Sequence, residues 1–420
     1  MFKTLKDAQA WIESIYRFSD KYDLTRMEQA CELLGNPQNT FKSIHIGGTN
    51  GKGSTLTYLK NMLLDAGYTV GTYTSPYVVR FNERITLNGV EIDNQTLLDY
   101  INDVYQLHET YLETYNDQIS FFELVTIISF LYFRDTQPDI ALIEVGLGGT
   151  LDATNVITPE LSIITNIGTD HLHVIGPTIE DVAKNKLGIV KKQVPLVTGY
   201  DQESLTELFQ SVTEQHDSEM IRFSLSMIDA IELGMPSRFT YDQEPYELTM
   251  VGLHQVQNAG LALLAADVLN ELGYHIPIES RKHGLKMAFW PGRFEIFGNI
   301  IIDGAHNIEG LKSCFDTVLK YYPDKKIKSL FTVMADKDYQ PMLALLAQHT
   351  DAIVFTEIPY QRCAKAEQLA NSIDHKDVFA ISDFKQALNH AKPQNEDEIL
   401  VVTGSLYFIS EVRKLLVDSA

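Results

Sequence analysis

Positive charge is scarce in this sequence: 34 Lys and Arg stand against 56 Asp and Glu, a formal net charge of −22. A field of that sign repels nucleic-acid phosphates and anionic membranes, so neither is expected as a partner. An anionic ligand would need local cations or metal ions to hold it. Cysteine is nearly absent. Cys31, Cys314 and Cys363 are odd in number and far apart, without the spacing of a disulfide framework or a metal site. That usage fits a reducing compartment, and a cytoplasmic protein is expected. No stretch approaches the roughly 20 apolar residues needed to cross a bilayer. The longest apolar segment, residues 124–133, is interrupted by Thr126 and Ser129 and reads as a buried helix. The N-terminal MFKTLKDAQAWIESIYRF carries charges throughout and reads as an amphipathic helix, not a signal peptide. Internal repeats and low-complexity tracts are also missing.

What is present is an alternation of short β-branched runs with helical patterns. Strand signals fall at residues 43–48, 68–74, 140–145, 161–166 and 194–198, with helices at 54–66 and 179–191. Such alternation predicts a parallel sheet covered by helices. Residues 85–92 alternate around Asn88-Gly89, a hairpin signal. Residues 219–253 look strand-rich and antiparallel, and 254–272 read as a long helix. Turn residues cluster at Trp290-Pro291-Gly292, after which the alternation restarts with strands at 300–303, 329–334, 352–356, 378–381 and 399–403. The 420 residues therefore divide into two α/β domains, 1–293 and 294–420.

Gly47-Gly48-Thr49-Asn50-Gly51-Lys52-Gly53-Ser54-Thr55 follows a strand and opens a helix. Small residues let backbone N–H groups close on phosphate oxygens, the helix N-terminus adds partial positive charge, and Lys52 adds a full one. Ser54 or Thr55 can reach a phosphate or a magnesium ion. Gly53 between Lys52 and Ser54 departs from the usual nucleotide-loop spacing. A solvent-facing lysine on a glycine-rich turn is the bland alternative, yet four glycines, a lysine and two hydroxyls between strand and helix favour phosphate binding. Glu144 ends one predicted strand, Ser75 another, and His171 follows a third, the edge where open α/β sheets bind ligands. Each alone also reads as a helix cap, a surface charge or a structural hydrogen-bonding group, and His173 competes with His171.

The stretch Leu34-Gly35-Asn36-Pro37-Gln38, followed by residues 45–54, resembles the folylpolyglutamate and dihydrofolate synthase family of the Mur ligase superfamily. The resemblance continues in order through Thr74-Ser75-Pro76-Tyr77, Phe81-Asn82-Glu83-Arg84-Ile85, residues 144–149, Leu151-Asp152-Ala153-Thr154-Asn155, His254-Gln255, Asn258-Ala259, Pro291-Gly292-Arg293 and residues 303–307. It implies a P-loop ATPase-type parallel-sheet domain of the Mur central type and a smaller Rossmann-like C-terminal domain. It implies a monomeric, magnesium-requiring ligase that takes ATP, L-glutamate and a reduced folate or dihydropteroate. By the same resemblance Ser75, Glu144 and His171 hold Mg2+, and Asn50, Gly51, Lys52, Gly53, Ser54, Asn258, Arg293 and Asp303 contact ATP, which would sit between the domains. Phe121, Phe122, Leu151 and Asp152 then lie against the pteridine substrate. Lys52, Glu144, His171 and Lys186 carry the chemistry, with Lys186 carbamylated. Asn185, Leu187 and Thr150 depart from the family's usual glutamate, alanine and arginine, which bears on the Lys186 and substrate assignments.

The implied reaction moves the γ-phosphoryl of ATP to a folate γ-carboxylate and lets the amine of glutamate displace phosphate from the acyl phosphate. Within the family the rival is dihydrofolate synthase, or an enzyme doing both. From other classes, an ATP-binding switch would need only the phosphate loop. A dinucleotide-dependent oxidoreductase would rest on Gly146-Leu147-Gly148-Gly149, whose third glycine is misplaced.

Overall fold

Fully buried aliphatic runs form the centre of one large sheet. In the computed structural model, which describes residues 1–16, 23–77, 79–170, 172–360 and 362–418, β1 (Ser43–Gly47) and β5 (Ile140–Glu144) are buried at every position. Strands covered on both faces lose the polar alternation of an exposed sheet, which is why SIHIG and IALIE read as nearly continuous apolar runs. The remaining strands are β2 (Val70–Tyr73), β3 (Ile85–Leu87), β4 (Val90–Glu91), β6 (Leu161–Ile164), β7 (Leu196–Thr198) and β8 (Met220–Arg222). Their order is β4-β3-β2-β5-β1-β6-β7-β8. Pairing is parallel from β2 to β8, while β3 and β4 add an antiparallel edge. The hairpin turns at Asn88 and Gly89, both with positive φ (53° and 76°), the conformation an Asn-Gly pair adopts at low cost.

Residues 219–253 do not form a single antiparallel block, because Met220–Arg222 pairs in parallel with Leu196–Thr198. The helix Thr206–Gln215 supplies the crossover that a parallel pair requires. Strands Ile228–Glu232, Ser237–Tyr241 and Glu244–Leu248 (β9 to β11) make a separate three-stranded sheet.

The apolar segment around 124–133 is the helix Phe121–Thr136. Ser120 and Glu123 form its capping box, each satisfying a terminal N–H of the other. Thr126 and Ser129 are buried within it without cost in unpaired hydroxyls, since they donate to the carbonyls of Phe122 and Thr126 at 2.8 and 2.7 Å. Among the described residues no helix is long and apolar enough to cross a membrane.

The chain divides into two compact units, Met1–Asp229 with Tyr241–Glu244 and Asn258–Met287, and Ala230–Thr240 with Pro245–Gln257 and Ala288–Ala420. In the second unit β12 (Glu295–Phe297), β13 (Ile300–Ile302), β14 (Lys326–Phe331), β15 (Ala352–Glu357), β16 (Val378–Asp383) and β17 (Glu398–Thr403) form a sheet of order β12-β13-β17-β14-β15-β16. All its pairs are parallel except the β12–β13 edge. Both units are therefore α/β, with one parallel-dominated sheet each.

Candidate active site

In the first unit the carboxyl ends of β1, β2, β5 and β6 share one edge, because the strands are parallel. The loop after β1 runs from Gly48 to Gly51, and Lys52 begins the helix Lys52–Asp65. Two glycines are demanded by geometry. Gly48 has φ +134°, and a Cβ there would lie 1.9 Å from Thr165 Oγ1. Gly51 has φ +82°, and a Cβ there would lie 2.3 Å from Asn258 Oδ1. Only a residue without a side chain allows both the backbone conformation and the approach. Asn258, buried, thus stands directly against the phosphate loop.

The outer side of the loop is fixed by residues after β6 that the sequence reading did not single out. Asn166 Oδ1 accepts from Asn50 N–H at 3.0 Å, and Asn166 Nδ2 donates to Asn50 O at 3.1 Å. Thr165 Oγ1 donates to the same carbonyl at 2.6 Å, and Gly168 N–H donates to Thr49 Oγ1 at 2.8 Å. Their only signal in the sequence was position: polar residues just past the end of a buried strand. Lys52 Nζ folds over the loop and donates to the Gly48 and Thr49 carbonyls at 3.2 and 3.4 Å. Ser54 and Thr55 are buried in the first turn, and the Thr55 hydroxyl has no partner among the described residues. The Gly53 carbonyl accepts from Thr57 Oγ1, and the Gly53 N–H lies in the first turn, where the helix itself offers no acceptor.

Two predicted metal residues meet. Ser75 N–H donates to Glu144 Oε2 at 3.2 Å, with Glu144 buried at the end of β5, in register with Ile46 of β1. A serine hydroxyl and a carboxylate are hard oxygen donors, the set that suits magnesium. His171 lies outside the described residues; the preceding Asp170 is described and acts electrostatically on Lys186.

Lys186 sits in the helix Ile179–Leu187, only 4% exposed, and donates from Nζ to Gly48 O at 3.0 Å. Burial, reinforced by the charge of Lys52 and opposed by Asp170 and Asp152, pulls its ammonium down to about 7. The loop after β5 is packed onto this helix. Thr150 N–H and Oγ1 both donate to Asn185 O, at 2.8 and 2.9 Å. A Cβ on Gly149 would meet Lys186 Cα at 3.0 Å. Within the same loop Leu151 is exposed and Asp152 buried.

The aromatic pair separates into two environments. Phe121 belongs to the core, 6.4 Å edge-on from Phe81. Phe122 is half-buried and lies across Gly146, where a Cβ would come 2.4 Å from its Cζ. Arg84 is buried with its guanidinium 5.0, 5.5 and 5.7 Å from the Tyr77, Phe81 and Phe121 rings, and its Nε has no partner among the described residues.

In the second unit Asp303 is buried and accepts from Phe294 N–H and Ala305 N–H, both at 2.8 Å. Burial raises its carboxyl, against the pull of Arg293 and these two amides. Arg293 and Asp303 are thus neighbours on either side of the β12–β13 hairpin.

Two family signatures match the chain: the Mur ligase middle domain over residues 46–266 and the Mur ligase glutamate ligase domain over residues 292–406. The dihydrofolate synthase/folylpolyglutamate synthase of Bacillus subtilis (strain 168) is 36% identical over 437 residues, covering 99% of this chain and all of that protein. The chain belongs to the folylpolyglutamate and dihydrofolate synthase family. It is accordingly an ATP-dependent ligase. Solved structures agree across the whole length. The folylpolyglutamate synthase of Thermotoga maritima superposes with a TM-score of 0.84 at 32% identity, covering 99% of this chain and 97% of that one. A folylpolyglutamate synthase complex with AMPPCP and folate has a TM-score of 0.85 at 31% identity, covering 98% and 99%. The α/β architecture expected from the sequence is the one these ligases share.

Proposed function

We propose that this ligase adds L-glutamate to the γ-carboxylate of folates through an acyl phosphate. The observation that carries the reading is the juxtaposition, on one sheet edge, of the Gly48–Gly51 loop, Lys52 at a helix N-terminus and the Ser75–Glu144 pair. The solved relative that holds AMPPCP and folate supports it. A folate carboxylate oxygen attacks the γ-phosphorus of ATP, and ADP leaves. The amine of glutamate then attacks the acyl carbon, loses a proton and expels phosphate. Lys52 and the loop amides stabilise charge on the transferring phosphoryl group. Ser75 and Glu144, together with His171, would hold Mg2+, which supplies further neutralisation of phosphate charge. Asn50, Gly51, Gly53, Ser54 and Asn258 line the nucleotide's path, and Arg293 and Asp303 are taken as ATP contacts on the family resemblance. Phe122 and Leu151 offer apolar surface to the pteridine, with Phe121 and Asp152 behind them. The reading takes residues 1–293 as the ATP-binding domain and 294–420 as the C-terminal domain of a cytoplasmic monomer.

A second activity, glutamate addition to dihydropteroate, is favoured by one observation: the Bacillus subtilis relative carries both names. The match to a glutamate ligase domain over residues 292–406 weighs against a bare nucleotide switch. Phosphate release is the test. It should require ATP, glutamate and a pteridine acceptor together, and comparing tetrahydrofolate with dihydropteroate assigns the acceptor. Release that ignores glutamate would refute the ligase reading.

A further inference from the structure

His45 occupies the central strand β1, three residues before the phosphate loop begins at Gly48, and is fully buried. Its Nε2 lies 2.8 Å from Thr154 Oγ1. The single proton of that hydroxyl goes to Asp152 Oδ1. The hydroxyl must therefore accept from the ring, so His45 carries its proton on Nε2. Nδ1 is bare and buried with no partner among the described residues, and a protonated ring would turn it into an unsatisfied donor. Burial, with Lys191 adding to it, holds the imidazole neutral by pulling it down to about 3.

The relay ends on a carboxylate that shapes a loop. Asp152 is buried and receives the Thr154 N–H at 3.0 Å on Oδ1 and the Leu147 N–H at 2.8 Å on Oδ2, with Gly146 N–H adding to them. These bonds close the segment from Gly146 to Asp152 on itself. Leu151, next to the closing residue, is 45% exposed, whereas Asp152 itself is buried. Burial works against ionisation of Asp152, and each donor on it restores the anion. A histidine that drives a hydroxyl toward the carboxylate strengthens that bond, since linked hydrogen bonds polarise one another.

We propose that His45 is a positioning residue for the acceptor loop: through Thr154 it holds Asp152 on the Leu147 amide, and so sets where Leu151 meets the folate. The strand that delivers the phosphate loop thereby also registers the acceptor loop. This rests on the reading of residues 146–152 as the folate-facing segment.

The test compares His45→Phe, Thr154→Val and their double variant with wild type, following KM for tetrahydrofolate, KM for ATP, kcat and Tm. Each single variant should raise the folate KM about tenfold, the scale of one hydrogen bond lost beside a carboxylate. ATP KM should stay within about twofold, because the phosphate loop keeps its own bonds to Asn166 and Thr165. The double variant should be no worse than either single one, since both break the same chain. His45→Gln, whose amide can donate to Thr154, should recover most of the affinity. An unmoved folate KM, or folate and ATP KM rising together as Tm falls, overturns the proposal by reducing His45 to a core residue. If His45→Phe does not fold, Thr154→Val decides alone. A wild type that fails to join glutamate to folate takes down the functional reading itself, a result distinct from a working wild type with indifferent variants.

Discussion

Lys186 Nζ donates to the carbonyl oxygen of Gly48 across 3.0 Å, tying the helix Ile179–Leu187 to the phosphate loop. The amine is buried beside the Lys52 charge and titrates at about 7 instead of its usual 10.5. Between those two values the unfolded chain binds more protons than the folded one, so stability rises with pH across that window. Lys186→Met, which has nothing to titrate, should flatten the rise in urea denaturation followed from neutral to alkaline pH. A neutral amine is also the form that adds to CO2, so bicarbonate should increase activity above pH 7 more than below it. The carbamate would appear as the mass of CO2 on a peptide containing Lys186. An unmodified peptide from bicarbonate-fed enzyme would remove that modification from the site.

Lys52→Ala and Glu144→Ala should each lower glutamate-dependent phosphate release by about a thousandfold or more, as expected when preorganised charge on a transferring phosphoryl group is lost. Neither side chain belongs to a hydrophobic cluster, so both variants should still fold, with the larger Tm change in Glu144→Ala, which strands the Ser75 N–H. Near-normal turnover in either variant would displace the site from where Ser75 meets Glu144.

Gly48→Ala separates loop geometry from charge. The new methyl would press on Thr165 Oγ1 at 1.9 Å and on the Thr165 backbone nitrogen at 2.9 Å, at a φ of +134°. The hydroxyl could swing away, but the nitrogen, just past β6, is fixed by donating to Gly47 O at 3.0 Å. A stability loss of about 2–4 kcal/mol is expected from strain plus overpacking. Nucleotide affinity should fall with it, measurable by calorimetric titration of ATP. Unchanged Tm and affinity would mean the loop is not held by Thr165.

Gly146→Ala addresses the acceptor side. Its Cβ would displace the Phe122 ring, which lies 2.4 Å from that position. Phe122 is half-buried and can tilt, so the fold should persist while the aromatic surface is lost. KM for the folate should rise about tenfold with ATP KM nearly constant, the split expected when only acceptor binding is touched. An equal rise in both would place Phe122 outside acceptor recognition.

Legibility in the sequence followed physical range. Local signals were sufficient for the Asn88-Gly89 turn, the glycine loop before Lys52 and the buried strands 43–47 and 140–144, because turn chemistry and full burial mark short stretches of chain. Non-local pairing was not. Met220–Arg222 joins the large sheet through a crossover helix, and nothing in its own residues distinguishes a parallel from an antiparallel neighbour. Strand Glu295–Phe297 carries no local signal, because three half-buried residues show no periodicity. Site residues contributed from behind the loop, Thr165, Asn166 and His45, are ordinary residues of a strand or its end until the fold brings them against Asn50 and Thr154.

Arg26 offers a last test, of how the acceptor segment is anchored. Its Nε lies 3.1 and 3.2 Å from the two carboxylate oxygens of Glu123, and both residues are buried. Glu123 Oε2 also accepts from Ser120 N–H at 2.7 Å, so the same carboxylate caps the helix that begins with Phe121 and Phe122. Arg26→Met would leave that carboxylate buried without its cation. Breaking one half of a buried pair costs about 3–5 kcal/mol, more than the pair itself contributes. Glu123→Gln in the same chain removes the stranded charge while keeping an acceptor for Ser120, so the double variant should be more stable than Arg26→Met alone. If thermal unfolding ranks the double variant below Arg26→Met, the arginine acts through packing of its stem and not through charge.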